Sequence, residues 1–250
     1  MSGIITENTY DIHYYEVDYK KRLLVSEIIN YMCDSAMGQS CEIGEDIEFL
    51  KQNNIGWVIL KWDINIERYP LYKEKVRVTT WGQSFNKFYA TRGHEIIDEE
   101  GNVIGSAKSL WILIDTTRRR PVRIPDYMYG AYGIGKEDTK GYEFSKLDKV
   151  DKEDYIKKFN VRYSDIDTNV HVNNSKYLSW FVESVPKDIV LNYSIKRILI
   201  NYEKETSYGE LISSICAIKQ NEDELEIIHE IKSQDGKSLT LGKTFWKKLS

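Results

Sequence analysis

The sequence predicts an α+β protein made from one strand–helix–four-strand unit used twice. Three observations carry that reading. Two runs have the apolar spacing of a helix, each is followed by four strand-like runs, and the second set repeats the first. Gly101-Asn-Val-Ile-Gly-Ser-Ala-Lys108-Ser-Leu-Trp111 lies over Gly236-Lys-Ser-Leu-Thr-Leu-Gly-Lys243-Thr-Phe-Trp246 at an offset of 135. Glu67, Tyr72 and Glu74 lie over Glu203, Tyr208 and Glu210 at an offset of 136. Offsets that agree to one residue at two separate places indicate a tandem duplication.

In the first half, residues 10–19 read as a strand. From about Ser26, Ile29, Cys33, Ala36, Ser40 and Ile43 step by four and three, one face of a helix. Gly44 interrupts it, and 45–52 reads as a short helix. Strand-like runs follow at 57–66, 76–83, 88–97 and 103–114, with Glu99-Glu100-Gly101-Asn102 composed as a hairpin turn. The charged stretch 126–158 reads as a linker.

In the second half Phe159, Val161 and Tyr163 alternate as a strand with one buried face. Leu178, Phe181, Val182 and Val185 then form a helical stripe. Asn173 or Asn174 suits its N-cap and Pro186 its end. Strands are expected at 197–205, 211–219, 225–232 and 238–249. A helix followed by an antiparallel sheet that must bury its stripe is the pattern of the hotdog fold, the sheet wrapped around the helix. The expectation is therefore a tandem (double) hotdog: 1–125, a linker at 126–158, and 159–250.

Composition narrows the function. Hydrophobic content of 41% and charged content of 30% in 250 residues are those of a soluble globular protein. A net charge of −4 argues against general nucleic-acid binding. The longest apolar run, Leu110 to Ile114, is far short of the roughly 20 residues that span a bilayer. Glu7, Asp11, Glu16 and Asp18 make the N-terminus acidic, unlike a secretory or transit signal. Cys33, Cys41 and Cys216 have no metal-type spacing and read as reduced core thiols of a cytoplasmic protein. No glycine-rich phosphate loop or metal-ligand set appears, so no cofactor is implied.

The chemistry concentrates between the strand at 159–163 and the helix after it. If the chain stays extended, Asp165, Asp167, Asn169 and His171 share the inward parity of Tyr163. Burying such groups unpartnered costs about 2–7 kcal/mol for each neutral one, so this face suits a lined pocket better than a core. The following helix N-terminus adds free N–H groups, which favour negative charge developing on an oxygen, as in acyl transfer. A lone aspartate more often shapes a turn, and a lone histidine more often sits in a satisfied surface or core position. Four polar residues of one parity reverse that reading for Asp167 and His171. Asn173 and Asn174 read as structural, one of them the cap. Glu205 shares parity with Asn201 and Glu203, opposite Ile198, Ile200 and Tyr202, so alternation alone makes it solvated. The matching stretch 18–26 of the first half offers no counterpart to Asn169 and His171. One half should carry chemistry and the other shape a pocket, with the small residues Cys33, Ala36 and Ser40 a candidate tunnel lining.

Ser164-Asp-Ile-Asp-Thr-Asn-Val-His-Val-Asn-Asn-Ser-Lys-Tyr177, with Trp180 and Glu183-Ser-Val-Pro186, closely resembles the signature of acyl-acyl-carrier-protein (acyl-ACP) thioesterases. Ile66-Glu-Arg-Tyr-Pro70, Trp81, and Trp111-Ile-Leu-Ile-Asp-Thr-Thr-Arg-Arg119 with Arg123-Ile-Pro125 resemble further blocks of that family, so the likeness runs from about residue 10 to the C-terminus. The resemblance implies hydrolysis of fatty acyl-ACP, with a phosphopantetheine-linked chain as substrate. It implies Asp167, Asn169, His171 and Glu205 as the catalytic set; the helix N–H groups near 173–175, at Asn173 and Asn174, read independently of it as the oxyanion donors. Family members often carry a cysteine after the acid; here Thr206 stands there, which weighs against a thiol nucleophile. Plant members carry a transit peptide, so its absence suggests a bacterial, cytoplasmic enzyme. The run Arg118-Arg119-Arg120 with Arg123 reads as a solvated turn, with steering of an acidic carrier as the lesser alternative. An acyl-CoA thioesterase and a non-catalytic acyl-chain binder are the competing readings. Membrane insertion is not expected, and a homodimer is left open.

Overall fold

The computed structural model describes residues 3–221 and 224–249. The chain divides into two compact units, Met1–Trp62 with Glu67–Phe144, and Asp63–Ile66 with Ser145–Ser250. The first unit opens with β1 (Ile5–Asp11), a 3-10 turn at Tyr14–Glu16, the long helix α1 (Val25–Glu42) and the short α2 (Ile47–Gln52). Strands β2 (Ile55–Ile66), β3 (Lys75–Asn86), β4 (Tyr89–Ile97) and β5 (Val103–Asp115) follow, then the two-residue β6 (Arg120–Pro121) and α3 (Asp126–Ala131). Its sheet order is β1-β3-β4-β5-β2, with β6 against β5.

The second unit repeats the plan. It runs β7 (Tyr155–Asn160), a 3-10 turn at Tyr163–Asp165, α4 (Asn174–Ser184) and α5 (Lys187–Asn192). Strands β8 (Tyr193–Tyr202), β9 (Leu211–Asn221), β10 (Glu224–Ser233) and β11 (Ser238–Lys248) complete it. The order β7-β9-β10-β11-β8 is that of the first unit. Each unit is thus a helix packed on an antiparallel sheet. The repeat extends to buried hydrogen bonds. His94 Nε2 lies 3.0 Å from Ser109 Oγ, which accepts from Trp111 Nε1 at 2.8 Å. His229 Nε2 lies 2.8 Å from Thr244 Oγ1, which accepts from Trp246 Nε1 at 2.7 Å. Burial pushes the His229 imidazole down to about 3 and His94 well below its usual range, so both are neutral structural groups.

The expected strand at 10–19 is displaced: β1 ends at Asp11, and the chain turns into the 3-10 helix at Tyr14. The buried face of α1 is wider than the expected stripe, of which Ile29, Ala36 and Ser40 are buried. Ile28, Met32, Ser35 and Gln39 are fully inside, whereas Cys33 is half-buried. Polarity hid the rest of the face, because Ser35 and Gln39 are buried with their hydrogen bonds made. Gln39 Nε2 donates to the Ile4 carbonyl at 2.7 Å, and its Oε1 accepts from Arg92 at 2.7 Å. Ser35 Oγ donates to the Val78 carbonyl. Of the three cysteines only Cys216 is a core thiol, and Cys41 is exposed.

The stretch read as a linker is divided. Residues 126–144 belong to the first unit, where Met128, Tyr132 and Ile134 pack with Phe85, Leu113 and Ile124. Three large apolar side chains among many charges gave no periodicity to read. Among the described residues no helix is long and apolar enough to cross a membrane.

In the second unit Leu178 and Phe181 are fully buried, and Phe181 stacks on His229 with ring centroids 4.7 Å apart. A Cβ at Gly242 would overlap the Phe181 ring. Gly242→Ala is therefore expected to lower the unfolding free energy by about 1–3 kcal/mol, the range for overpacking. Denaturant titration checks this; an unchanged midpoint would mean that Phe181 has room to withdraw.

Candidate active site

The chain between Tyr163 and Asn174 does not stay extended. It closes the 3-10 turn Tyr163–Asp165, and Tyr163 points to solvent. Asp165 Oδ2 accepts from the Arg162 backbone N–H at 2.9 Å and Nε at 3.2 Å, and its Oδ1 accepts from Nη2 at 2.9 Å. Burial raises the Asp165 pKa, but the Arg162 hydrogen bonds outweigh it and hold the carboxyl below its usual range. Asp165 is a buried anchor of the turn, not a pocket-lining acid.

Ile166 and Val172 then pair as an antiparallel bridge, and Asp167 organises the loop between them. Its N–H donates to the His171 carbonyl at 2.8 Å, and its own carbonyl accepts from Val170 at 3.1 Å. Its Oδ1 accepts from the N–H groups of Asn169 at 2.8 Å and His171 at 3.2 Å. These bonds hold Val170 at φ +66°, a left-handed conformation that costs an L-residue about 1–2 kcal/mol. Asn169 and Val170 lie exposed on the outside of the loop. The single inward face expected from alternation is therefore absent: Asp165 is buried, Asp167 and His171 are partly exposed, and Asn169 is in solvent.

The loop does bring His171 to Glu205, with Nε2 3.2 Å from Oε2. The two side chains are 33% and 39% exposed, so reactants can reach them. Glu205 follows the end of β8 and is exposed, as strand parity predicted; what parity could not show is its contact with His171. Its neighbour Thr206, absent from the expected site, fixes that segment. The Thr206 carbonyl accepts from Val172 N–H at 3.3 Å, and its hydroxyl donates to Glu210 Oε2 at 2.7 Å. Its N–H meets the phenol oxygen of Tyr177 on α4, a tyrosine whose pKa burial pushes far up. Tyr202 Oη donates to the Asn174 carbonyl at 2.9 Å, so the end of β8 is also tied to the first turn of α4.

At the helix N-terminus, Asn173 is the cap, its Oδ1 accepting from Ser175 N–H at 3.0 Å. Its own N–H donates to the Asp165 carbonyl at 2.8 Å. Of the N–H groups at 173–175, only that of Asn174 has no partner among the described residues. The anion-binding capacity expected of Asn173 and Asn174 thus rests on Asn174 alone.

The first unit repeats the loop bond for bond at an offset of 149. Asp18 N–H donates to the Arg22 carbonyl at 2.8 Å, and Asp18 Oδ1 accepts from Lys20 at 2.8 Å and Arg22 at 3.0 Å. Lys21 takes the left-handed position at φ +62°. Arg22 stands where His171 does; its Nη2 lies 2.8 Å from Asp18 Oδ2, and its guanidinium lies over the Tyr69 ring at 5.1 Å. Tyr69 stands where Glu205 does. The aspartate is therefore a loop-former common to both units, and the His–Glu pair belongs to the second alone. The offset of Asp18 from Asp167 was a readable signal that the sequence comparison did not use.

The candidate tunnel residues are differently placed. Ala36 is buried, and Ser40 Oγ lies 3.2 Å from the Tyr132 hydroxyl. Burial pushes the Cys33 thiol up to about 12. An open cleft of about 380 Å³ in this unit is bordered by Ser84, Tyr89, Thr91, Leu110 and Tyr142, and by none of the three.

The acyl-ACP thioesterase N-terminal domain matches residues 3–132, and the acyl-ACP thioesterase C-terminal domain matches 148–248. The chain belongs to the acyl-ACP thioesterase family, and its fold is the tandem hotdog. It is 25% identical over 265 residues to a chloroplastic palmitoyl-acyl carrier protein thioesterase of Arabidopsis thaliana, covering 98% of this chain and 64% of the relative. A dodecanoyl-acyl-carrier-protein hydrolase of Cinnamomum camphora is 26% identical over 98% of this chain and 68% of the relative. The chain thus spans about two-thirds of the length of the plant relatives it matches. Among solved structures, an oleoyl thioesterase from Lactobacillus plantarum superposes with a TM-score of 0.91 at 26% identity, over 99% of this chain and 98% of that one. An acyl-ACP thioesterase from Bacteroides thetaiotaomicron gives 0.85 at 24% identity, over 97% and 98%.

If Asp167 is first a loop-former, its shape matters more to folding than its charge. Asp167→Asn keeps an acceptor at Oδ1 and should cost less than about 1 kcal/mol, whereas Asp167→Ala loses both bonds and should cost about 2. Thermal and denaturant melts of the two variants decide it; equal losses would contradict the assignment.

Proposed function

We propose that the chain hydrolyses the thioester of a fatty acyl chain on acyl carrier protein and so ends chain growth. The observation that carries this reading is the partly exposed His171–Glu205 contact of 3.2 Å, built into the second unit of an acyl-ACP thioesterase fold. His171 takes a proton from water as its oxygen attacks the thioester carbonyl carbon, and Glu205 holds the imidazolium that forms. The Asn174 N–H faces the developing oxyanion at the helix N-terminus. When the C–S bond breaks, the sulfur leaves as a thiol with the proton from His171, and the free acid remains. Asn169 orients the water from the outer side of the loop. Asp167 as the base is the weaker option, because Asp18 makes the same backbone bonds where no histidine stands. The second unit is the catalytic one, the first holds the acyl chain, and the enzyme acts in the cytoplasm.

General-base help is worth typically 10²–10⁴ in rate. His171→Ala should thus lower kcat on acyl-ACP at least about a hundredfold with circular dichroism unchanged. The parent, offered a panel of acyl-ACP and acyl-CoA substrates with free acid as readout, should prefer the carrier-bound thioester. A preference for acyl-CoA would replace the substrate class, and a His171→Ala rate within threefold of the parent would remove the mechanism. Replacing Cys33, Cys41 and Cys216 together by serine or alanine should leave most of the rate, since Thr206 has its hydroxyl committed to Glu210.

Chain length, in this reading, is measured along α1. Ala36→Phe should shift the kcat/KM profile to shorter chains, each CH₂ denied burial costing about 0.8 kcal/mol. An unchanged profile in a folded variant would make this helix face plain core.

A further inference from the structure

We propose that the first unit's copy of the loop is a docking face for the acidic carrier protein that presents the acyl chain. This rests on the carrier-protein reading above. The copy keeps the backbone of the second unit's loop but changes what stands on it. Lys20, Lys21 and Arg22 occupy the places of Asn169, Val170 and His171, and Tyr69 that of Glu205. In the adjoining turn Lys73 occupies the place of Gly209. Four cations and a phenol therefore replace an amide, a valine, an imidazole, a glycine and a carboxylate.

The lysines are placed against conformational preference. Lys21 and Lys73 hold φ of +62° and +71°, the left-handed region. Gly209 takes φ +82° in the second unit without the steric cost a side chain adds. A glycine would fit Lys73's place, so the side chain there needs a use beyond folding. The two turns adjoin: Tyr72 N–H donates to the Lys21 carbonyl at 2.9 Å, and Arg22 pairs with Leu71 across a bridge. Lys20, Lys21 and Lys73 thus share one surface.

Nearby acids are already taken. Asp18 is held by Arg22, Glu74 by Arg68, and Asp11 by Lys75. Among the described residues neither Lys21 nor Lys73 has an ion pair. Large exposed rings lie beside the cations: Tyr19 and Tyr72 are 67% and 38% exposed. Lys20 lies 5.4 Å from the Tyr19 ring centroid and Lys73 5.5 Å from that of Tyr72. Exposed tyrosines beside a cluster of lysines fit a protein surface of opposite charge, the rings giving contact and the charges steering encounter. The arginine run 118–120 is the other basic candidate in this unit. Arg118 N–H closes a turn onto Asp115 Oδ1 at 2.7 Å, and the run is exposed.

The test is Lys20→Glu with Lys21→Glu and Lys73→Glu, assayed on acyl-ACP, acyl-CoA and acyl-N-acetylcysteamine. The second substrate has the arm and phosphates without the protein; the third has neither. On acyl-ACP, kcat/KM should fall at least tenfold, mostly through KM, with a weaker dependence on salt. The other two substrates should stay within twofold. Tyr19→Ser with Tyr72→Ser should give the same pattern without changing charge, and Arg118→Glu with Arg120→Glu should not. A loss shared with acyl-CoA would assign the face to phosphate and overturn the proposal. So would a loss on all three substrates, no loss on any, or an equal loss in the arginine variant. An unmodified protein that cleaves the small thioesters but not acyl-ACP would overturn the proposed substrate itself, an outcome distinguishable because it needs no variant.

Discussion

Both units depend on one constraint: the short chain between first strand and long helix must satisfy its own backbone. An aspartate supplies the missing acceptor. Asp18 and Asp167 each take two N–H groups on a single carboxylate oxygen, and each forces one residue into the left-handed region. A hydrogen bond contributes about 0.5–1.5 kcal/mol net, so two of them offset a left-handed residue costing about 1–2. The resulting loop is rigid enough to aim the side chain at its fourth position after the aspartate.

That rigidity lets one backbone serve two ends. In the second unit the aimed residue is His171, and the segment anchored by Thr206 brings Glu205 to it. In the first the aimed residue is Arg22, which closes back on Asp18 and lies over Tyr69. Duplication left the scaffold bonds unchanged and altered the exposed positions, where substitution costs little folding energy. The buried His94–Ser109 and His229–Thr244 pairs belong to the unchanged part.

Much of this was legible in the sequence, and the failures have physical causes. Hairpin glycines 101 and 236 and the Lys-Ser-Leu-Trp and Lys-Thr-Phe-Trp repeats marked equivalent strands, because a turn and a buried hydrogen bond each demand particular residues. The helices were found by period, but the buried face of α1 was read too narrowly because Gln39 and Ser35 are buried through their hydrogen bonds. Alternation failed at 163–171 because the chain turns there, so parity could not tell buried Asp165 from exposed Asn169. The parity premise that favoured His171 does not hold in the structure, which leaves likeness to a family as the signal that pointed to His171 and Glu205 together. What Tyr177 and Thr206 contribute was not legible, since it lies in contacts between segments distant in sequence.

The central claim is that His171 and Glu205 act as one unit on water. A double-mutant cycle on kcat with His171→Gln and Glu205→Gln tests it most directly, using amides that keep size and remove proton transfer and charge. If the pair works together, the double variant is no slower than the worse single variant, because either change already disables the unit. Losses that multiply, with the double variant slower by the product of the singles, would mean that the two residues act independently and would contradict the account.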